Sequence, residues 1–233
     1  MSVVKYTLIF VMLFAVHQHS FSQVADKETY LSSLKAEFVK KWPDNRTINI
    51  VFHGHSVPTG YSQSPIVQSL NAYPQLTLTG LKSKYPYLVV NIITTSIGGE
   101  NAESGVKRMD RDVLRHSPDV LLIDYALNDR NIGVDRARKA WTKMIEMAIK
   151  KNIKVILFTP TPDLDDKNHV LDDYAKMIRQ LASDYHVGLV DSYKLFMDKA
   201  AKGDDLSKFM SQSNHPNIAG HYLVASELLT WFF

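Results

Sequence analysis

Short runs of apolar and β-branched residues alternate with amphipathic helical patterns along this chain, and this alternation limits its fold more than any other feature. The run at residues 119–125 is almost continuously apolar, which is typical of a strand covered on both faces. Five strands are predicted, at residues 48–52, 88–93, 119–125, 154–159 and 188–191. Strands that alternate with helices form a parallel sheet with helices on both faces. The sequence therefore predicts an α/β fold with a five-stranded parallel sheet.

The segments between these strands carry apolar residues at helical spacing. Helices are predicted at residues 26–42, 64–84, 103–116, 134–151, 169–185 and 217–232. Pro74 is expected to break or kink the second of them, since proline removes a helical hydrogen bond. No internal repeat, low-complexity tract or linker is evident in the sequence. Residues 23–233 are therefore predicted to form one domain, long enough to bury a sizeable core.

The first 22 residues have a different composition from the rest. Lys5 precedes an apolar run at residues 8–16, and small residues follow at Ser20 and Ser22. This pattern is typical of a secretory signal peptide. The apolar run is too short for a stable anchor, which needs about 20 residues. We predict a signal peptide at residues 1–22, a secreted or periplasmic bacterial protein, and no stable membrane insertion after cleavage.

Composition excludes several classes of function. The chain has no cysteine, which rules out thiol catalysis and cysteine metal sites. Its 27 basic and 24 acidic residues give a formal net charge of +3 without a basic run, so nucleic acid is not an expected partner. His53 and His55 have the spacing of a metal-binding pair, but no third ligand is evident. We therefore expect no metal and no other cofactor.

Four polar or glycine residues follow separate predicted elements. Ser56 follows the first strand, Gly99 the second and Asn128 the third. The carboxyl ends of parallel strands meet at one edge of the sheet, which is where ligands bind in such folds. His215 lies in the loop before the final helix, which can return to that edge. We therefore expect these four residues to meet, with the Ser56 hydroxyl in contact with the His215 imidazole.

These residue types suit acyl transfer. A serine hydroxyl becomes a good nucleophile when a base takes its proton, and histidine titrates in the required range. The tetrahedral intermediate carries an oxyanion that needs preorganised donors. The backbone N–H groups of Ser56 and Gly99 and the side-chain amide of Asn128 can supply three. The pattern predicts Ser56 as nucleophile, His215 as base and then acid, and an oxyanion hole from the other groups.

The chain resembles the SGNH (GDSL-type) hydrolase family over most of residues 23–233. The resemblance is carried by four blocks, Gly54-His55-Ser56, Ile97-Gly98-Gly99-Glu100-Asn101, Ala126-Leu127-Asn128-Asp129 and Gln212-Ser213-Asn214-His215-Pro216-Asn217. It implies a flavodoxin-like three-layer α/β/α sandwich and the hydrolysis of esters without a metal. It also implies that Gly99 is the glycine of the oxyanion hole.

Two departures from the family pattern bear on mechanism. His55 stands where the family has an aspartate beside the nucleophile, and Gln212 stands where it has the aspartate that orients the histidine. Removing that charge from a serine triad can slow turnover by roughly 10⁴-fold. Three arrangements are open. A carbonyl of Gln212 orients His215 in a Ser-His dyad, Asp204 or Asp205 replaces the missing acid, or the protein is a weak or inactive relative.

The function that these features favour is a secreted serine esterase acting on a small acyl ester. Tyr61, Tyr73 and Tyr125 are predicted near the site, and aromatic rings suit an acetylated sugar, so the enzyme is expected to take a small-molecule or glycan ester. The alternative is a catalytically weak or inactive SGNH-fold protein with a carbohydrate-binding or accessory role. Gln212 is the residue that distinguishes the two.

Overall fold

A computed structural model describes residues 23–233, and the predicted signal peptide at residues 1–22 lies outside the described residues. The central sheet has five strands, namely β1 (Thr47–Gly54), β2 (Val89–Thr94), β3 (Val120–Asp124), β4 (Lys154–Phe158) and β5 (Gly188–Val190). All neighbours pair in parallel, in the order β2-β1-β3-β4-β5. This is the flavodoxin-like order, so the predicted α/β fold with a five-stranded parallel sheet is confirmed.

Helices cover both faces of the sheet. They are α1 (Ser32–Phe38), α2 (Ser56–Thr59), α3 (Tyr73–Lys84), α4 (Ala102–Lys107), α5 (Ala126–Asp129), α6 (Val134–Ile149), α7 (Val170–Asp184), α8 (Ser192–Ala201) and α9 (Ile218–Leu229). One core lies between the sheet and α1, α3, α8 and α9. The other lies between the sheet and α4, α6 and α7. The result is three layers, helix, sheet and helix.

Strand β3 explains why its sequence is apolar at successive positions. Leu122 packs into the core with α3 and α9, whereas Leu121 and Ile123 pack into the core with α6. Side chains of a strand point alternately to the two faces, so a strand covered on both needs apolar residues throughout. Asp124, the last residue of this strand, is buried as well. A buried carboxylate needs partners, and its position at the site edge becomes important below.

The predicted helix at 64–84 is wrong over its first part. Only α3 is helical there, preceded by a 3₁₀ turn at Ser69–Asn71. Pro74 lies in the first turn of α3, where a missing N–H leaves no bond unmade, so it begins the helix and does not break it. Residues 60–68 form a loop, closed by an isolated bridge between Tyr61 and Val67.

Other differences are confined to short elements. The predicted helix at 103–116 divides into α4, a π-helical turn at Met109–Val113 and a 3₁₀ turn at Leu114–His116. Helix α8 and the antiparallel hairpin of β6 (Met210–Gln212) and β7 (His215–Pro216) were not predicted. The hairpin is the element that returns His215 to the sheet edge. Within residues 23–233, none of the helices has the length and apolar character needed to cross a membrane.

Candidate active site

Ser56 lies at a sharp junction between β1 and α2. The close approach of β1 and β3 requires Gly54, because a Cβ there would lie 2.3 Å from the backbone oxygen of Asp124. Ser56 is the first residue of α2, and the side chain of His55 caps that helix by accepting the backbone N–H of Val57. Only 7% of Ser56 is exposed. The nucleophile candidate is thus held on a short, capped turn at the carboxyl end of the strand.

The hairpin of β6 and β7 brings His215 to Ser56. Its Nε2 lies 2.9 Å from Ser56 Oγ, so the contact expected between these two side chains is present. The start of α9 holds this segment, because Asn217 caps the helix by accepting the N–H groups of Ala219 and Gly220. Burial lowers the pKa of His215, opposed by its bond to a backbone carbonyl. A neutral imidazole at this position can accept the serine proton.

The other ring nitrogen of His215 contacts a backbone group. Nδ1 lies 3.0 Å from the carbonyl oxygen of Ser62, and a carbonyl can only accept, so Nδ1 carries the proton and Nε2 is bare. This is the tautomer that a general base for Ser56 needs. Within residues 23–233, no carboxylate bonds to His215 in its place. The hypothesis that Gln212 itself orients His215 is therefore corrected: a neutral carbonyl from the loop at 60–68 occupies that position.

Gln212 contacts the loop that carries the Ser62 carbonyl. Its Oε1 accepts the backbone N–H of Ser64 at 2.9 Å, and its Nε2 donates to Oδ1 of Asn214. The first bond ties the hairpin to the loop that carries the Ser62 carbonyl. The loop is also closed on itself, since Ser62 N–H donates to the carbonyl of Ile66 at 3.0 Å. The side chain of Gln212 therefore contacts the loop and the hairpin, and not the imidazole.

The two other candidate acids are engaged elsewhere. Asp204 lies 3.5 Å from Nζ of Lys199, in an exposed ion pair. Asp205 accepts the backbone N–H of Ser207 and caps the 3₁₀ turn at Leu206–Phe209. Neither contacts His215, so neither replaces the missing triad acid. The carboxylate that does act on His215 is that of Asp163, which raises its pKa electrostatically and pairs with Arg130 at 2.9 Å.

Gly99 and Asn128 belong to the segments that follow β2 and β3, at the same edge of the sheet as Ser56. The loop after β2 runs beside the end of β1, because Ile97 N–H donates to the carbonyl of Gly54 at 3.0 Å. Gly99 has φ +77°, a conformation that favours glycine, and a Cβ there would meet nothing within 4 Å. The side-chain amide of Asn128 donates one N–H to the carbonyl of Glu100 at 3.1 Å. That bond orients the amide and leaves its second N–H for a ligand.

A buried polar network anchors this loop. The Glu100 carboxylate accepts one bifurcated bond from the N–H of Arg108 Nε, with 2.9 Å to each oxygen, a further bond from Nη2, and one from the Tyr125 hydroxyl at 2.9 Å. The Tyr125 oxygen also lies 3.1 Å from Nε2 of His53. Burial, followed by the charge of Arg108, lowers the pKa of His53 to about 3, so this histidine is neutral. The network joins the ends of β1, β2 and β3 and fixes the carbonyl that orients Asn128.

The three tyrosines predicted near the site have different roles. Tyr73 is buried beneath the sheet edge, where its hydroxyl donates to Asp124. Tyr125 is buried in the network around Glu100. Neither ring is available to a substrate, which corrects that expectation. Tyr61 is partly exposed, with its ring centroid 6.0 Å from that of His215, and a Cβ on Gly98 would lie 3.0 Å from it. It is the one ring of the three that borders the site opening.

His53 and His55 do not face a common ligand. Nδ1 of His53 contacts the Thr95 hydroxyl at 2.9 Å, whereas His55 caps α2. In the described part of the chain, no three acidic or histidine side chains gather in a way that could hold a metal ion. The Ser62 carbonyl, missed by sequence reasoning, has no signature in residue type, because every residue has a backbone carbonyl. Asp163 could have been found, since it closely follows the end of β4 at the same edge.

Comparison with known proteins gives the family. The sequence model of the GDSL-like lipase/acylhydrolase family matches residues 52–223, which include each of the four site candidates. The chain belongs to this family, as its motifs predicted. The acetylxylan esterase of Geobacillus stearothermophilus is 23% identical over 172 residues, covering 64% of this chain and 75% of that protein. This supports a carboxylic ester hydrolase at the level of the family.

Solved structures share the fold. The crystal structure of an acetylxylan esterase from Geobacillus stearothermophilus superposes with a TM-score of 0.70 at 18% identity, covering 83% of this chain and 95% of that one. A protein described as GDSL-like lipase from Parabacteroides merdae gives a TM-score of 0.70 at 19% identity, over 83% and 99% of the two chains. At such identities the likeness concerns the arrangement of strands and helices.

Proposed function

We propose that this protein is a secreted serine esterase that removes a small acyl group, with an acetylated carbohydrate as its substrate. The observation that carries the proposal is the 2.9 Å contact between Ser56 Oγ and Nε2 of His215, in the tautomer set by the Ser62 carbonyl. A hydroxyl paired in this way with a neutral imidazole is the arrangement that activates a serine.

The reaction proceeds by two proton transfers in each half. His215 takes the Ser56 proton as Oγ bonds to the acyl carbon, and the carbonyl oxygen becomes an oxyanion. N–H groups of Ser56, Gly99 and Asn128 stabilise it. The C–O bond to the alcohol breaks as His215 returns its proton to the leaving oxygen. Water then attacks the acyl-serine with His215 as base, which releases the carboxylic acid and restores Ser56.

The comparisons support the substrate class without defining it. Solved catalytic mutants of the Geobacillus esterase replace a serine, a histidine, and an aspartate three positions before that histidine. Gln212 takes the place of that aspartate in this chain. We infer that a carbonyl-held dyad suffices here, because Nδ1 of His215 is satisfied and its tautomer fixed. Partly exposed Tyr61 offers a face for a sugar ring beside the ester.

The experiment measures hydrolysis of p-nitrophenyl acetate and of acetylated xylooligosaccharides by the purified protein. Ser56→Ala should abolish turnover and labelling by a fluorophosphonate. Ser62→Ala is the matched control, because Ser62 is also a buried serine of the site and keeps its backbone carbonyl. Wild-type activity equal to that of Ser56→Ala would reject the esterase and leave the carbohydrate-binding alternative. Export is tested by N-terminal sequencing of the secreted protein, which should begin after Ser22.

A further inference from the structure

A second imidazole lies against the nucleophile. Nδ1 of His55 is 3.4 Å from Ser56 Oγ and 3.2 Å from the backbone nitrogen of Val57, which donates to it. On the far side of the same ring, Nε2 faces Oδ1 of Asp124 at 3.4 Å. This Nε2 is fully buried and makes no hydrogen bond, so it lies at ion-pair distance without hydrogen-bond geometry. The ring is 1% exposed.

The contacts of His55 define its proton position. Nδ1 accepts a backbone N–H, so it must be bare, and a neutral ring then carries its proton on Nε2, towards Asp124. The Asp124 carboxylate is itself held, because Oδ2 accepts the Tyr73 hydroxyl at 2.9 Å. A buried carboxylate is stabilised by polarised N–H groups close to it, and Nε2–H of His55 faces Oδ1 at 3.4 Å, near enough for electrostatic attraction without a formed hydrogen bond. Asp124 and His55 therefore stabilise one another in this protonation state.

We propose that Asp124 and His55 form a carboxylate–imidazole pair, which positions Ser56 by keeping Nδ1 of His55 bare. The proposal rests on the function proposed above. With Nδ1 bare, the cap on α2 is intact and the Ser56 oxygen faces a lone pair. With a proton on Nδ1, the ring would lose the hydrogen bond from Val57 and would instead donate a hydrogen bond to Ser56 Oγ. That bond would engage the lone pair of Oγ that must attack the ester. His55 is a positioning residue, and the base is His215.

This pair gives the departure of His55 from the family pattern a physical reason. The imidazole of His55 caps α2, and the carboxylate of Asp124 lies behind the imidazole, at the end of β3. Gly54 permits this stacking, because any side chain there would collide with the backbone of Asp124. The site thus has a carboxylate–imidazole pair on the side of the nucleophile, whereas the base is held by a neutral carbonyl.

The test is Asp124→Asn, read by ¹⁵N NMR of histidine-labelled protein. The asparagine can keep an oxygen for Tyr73, which turns its NH₂ towards Nε2 of His55. Two donors would then face each other, and moving the ring proton to Nδ1 relieves this at the cost of the Val57 bond. We expect the imidazole nitrogen shifts of His55 to report a protonated Nε2 in the wild type and a protonated Nδ1 in the variant. The resonance is assigned by its loss in His55→Asn. An unchanged tautomer in Asp124→Asn would overturn the proposal.

Kinetics give the second measurement. Asp124→Asn should lower kcat and the rate of fluorophosphonate labelling about 10- to 100-fold with KM nearly unchanged, less than the ~10⁴-fold effect of a wrong tautomer in the base itself. His55→Asn keeps an acceptor for Val57 N–H and should therefore lose less activity than His55→Leu, which keeps none. In the His55→Asn background, Asp124→Asn should have little further effect, since the two act as a unit. Additive losses would contradict the pair.

A matched control separates positioning from stability. Asp191→Asn also removes a partly buried carboxylate after a strand, but Asp191 pairs with Arg179 and caps α8. It should lower stability and leave both the His55 tautomer and the labelling rate unchanged. The NMR measurement does not need turnover. If the wild type is inactive but its His55 tautomer still depends on Asp124, the proposed esterase activity is rejected and the pair is supported. If the wild type is active and the tautomer does not depend on Asp124, the pair is rejected and the esterase activity is supported.

Discussion

The two sides of Ser56 are held by different kinds of interaction. On the base side, His215 is oriented by the Ser62 carbonyl, and the loop is tied to the hairpin by Gln212, so the contacts are neutral hydrogen bonds. On the side of the proposed oxyanion hole, which we call the oxyanion side, a buried ion pair of Glu100 and Arg108 holds the loop that carries Gly99. Losing one neutral hydrogen bond costs little stability, whereas leaving a buried charge without its partner is strongly unfavourable. We therefore expect substitutions on the oxyanion side to reduce stability and activity more than substitutions on the base side.

Breaking the ion pair should have the largest effect. Arg108→Met leaves the carboxylate of Glu100, whose side chain is 9% exposed, without its guanidinium. Removing one partner of a buried pair typically destabilises a protein by about 3–5 kcal/mol. We expect a loss of that size in urea unfolding, with reduced turnover because the carbonyl that orients Asn128 moves. The double variant Arg108→Met with Glu100→Gln should recover part of the stability. Equal stability in the single variant and the wild type would show that the pair contributes nothing.

Asn128→Ala tests the same side at the reacting atoms. Its amide bonds to the Glu100 carbonyl and presents the other N–H to the site. Loss of one oxyanion donor typically lowers kcat by about 100- to 1000-fold. We expect that fall in kcat on p-nitrophenyl acetate, with a small change in KM, since the donor acts on charge that develops in the transition state. A variant that raised KM and kept kcat would place Asn128 in substrate binding instead.

Acid should destabilise the fold because two buried histidines, His53 and His221, have lowered pKa values. Burial lowers the pKa of His53 to about 3 and that of His221 to about 4, from 6.5. Below pH 6.5 the unfolded chain takes up these protons first, so stability falls as pH falls. Burial raises the pKa of Asp129 to about 6, which acts in the opposite direction between pH 6 and 4.

Each buried group changes stability by about 1.4 kcal/mol per pH unit in its window, so His53 and His221 against Asp129 leave a net loss of about 1.4 kcal/mol per unit, to which the lowered pKa of His215 adds. Urea unfolding between pH 6 and 4 measures this slope. His221→Gln removes one of these histidines and should reduce the slope by about 1.4 kcal/mol per unit. A slope that was unchanged in this variant would show that His221 is not held neutral in the fold.

The same contrast explains what the sequence could predict. The strands of the sheet were predicted from short runs of apolar and β-branched residues, most continuous in β3, which is buried on both faces. Ser56, Gly99 and Asn128 were predicted as site residues because each follows a strand that ends at one edge, and His215 because its loop before the final helix can return to that edge. Residues 64–68, the second half of the loop at 60–68, were predicted as the start of a helix, because the apolar residues of 64–84 match helical spacing. The carbonyl that orients His215 lies in that loop, and a backbone group leaves no trace in residue type. The pairing of Glu100 with Arg108 depends on how α4 packs, which periodicity does not define.

The smallest effects should come from Gln212, on the neutral side. Gln212→Leu removes the acceptor of the Ser64 N–H, a hydrogen bond worth about 1 kcal/mol, so kcat should fall roughly three- to tenfold. Asn214→Ala, which removes only the partner of Gln212 Nε2, is the matched control and should change kcat less.

Gln212→Asp tests whether the base side lacks a charge. It introduces the acid that the family pattern has at this position, but the Ser62 carbonyl already occupies Nδ1 of His215, so no increase in rate is expected. Steady-state kinetics of the three variants on one ester decides the matter. A tenfold gain in Gln212→Asp would mean that a carboxylate at position 212 can displace the carbonyl. In that case the missing carboxylate would limit the rate of hydrolysis, and the Ser62 carbonyl would not be an adequate substitute for the acid.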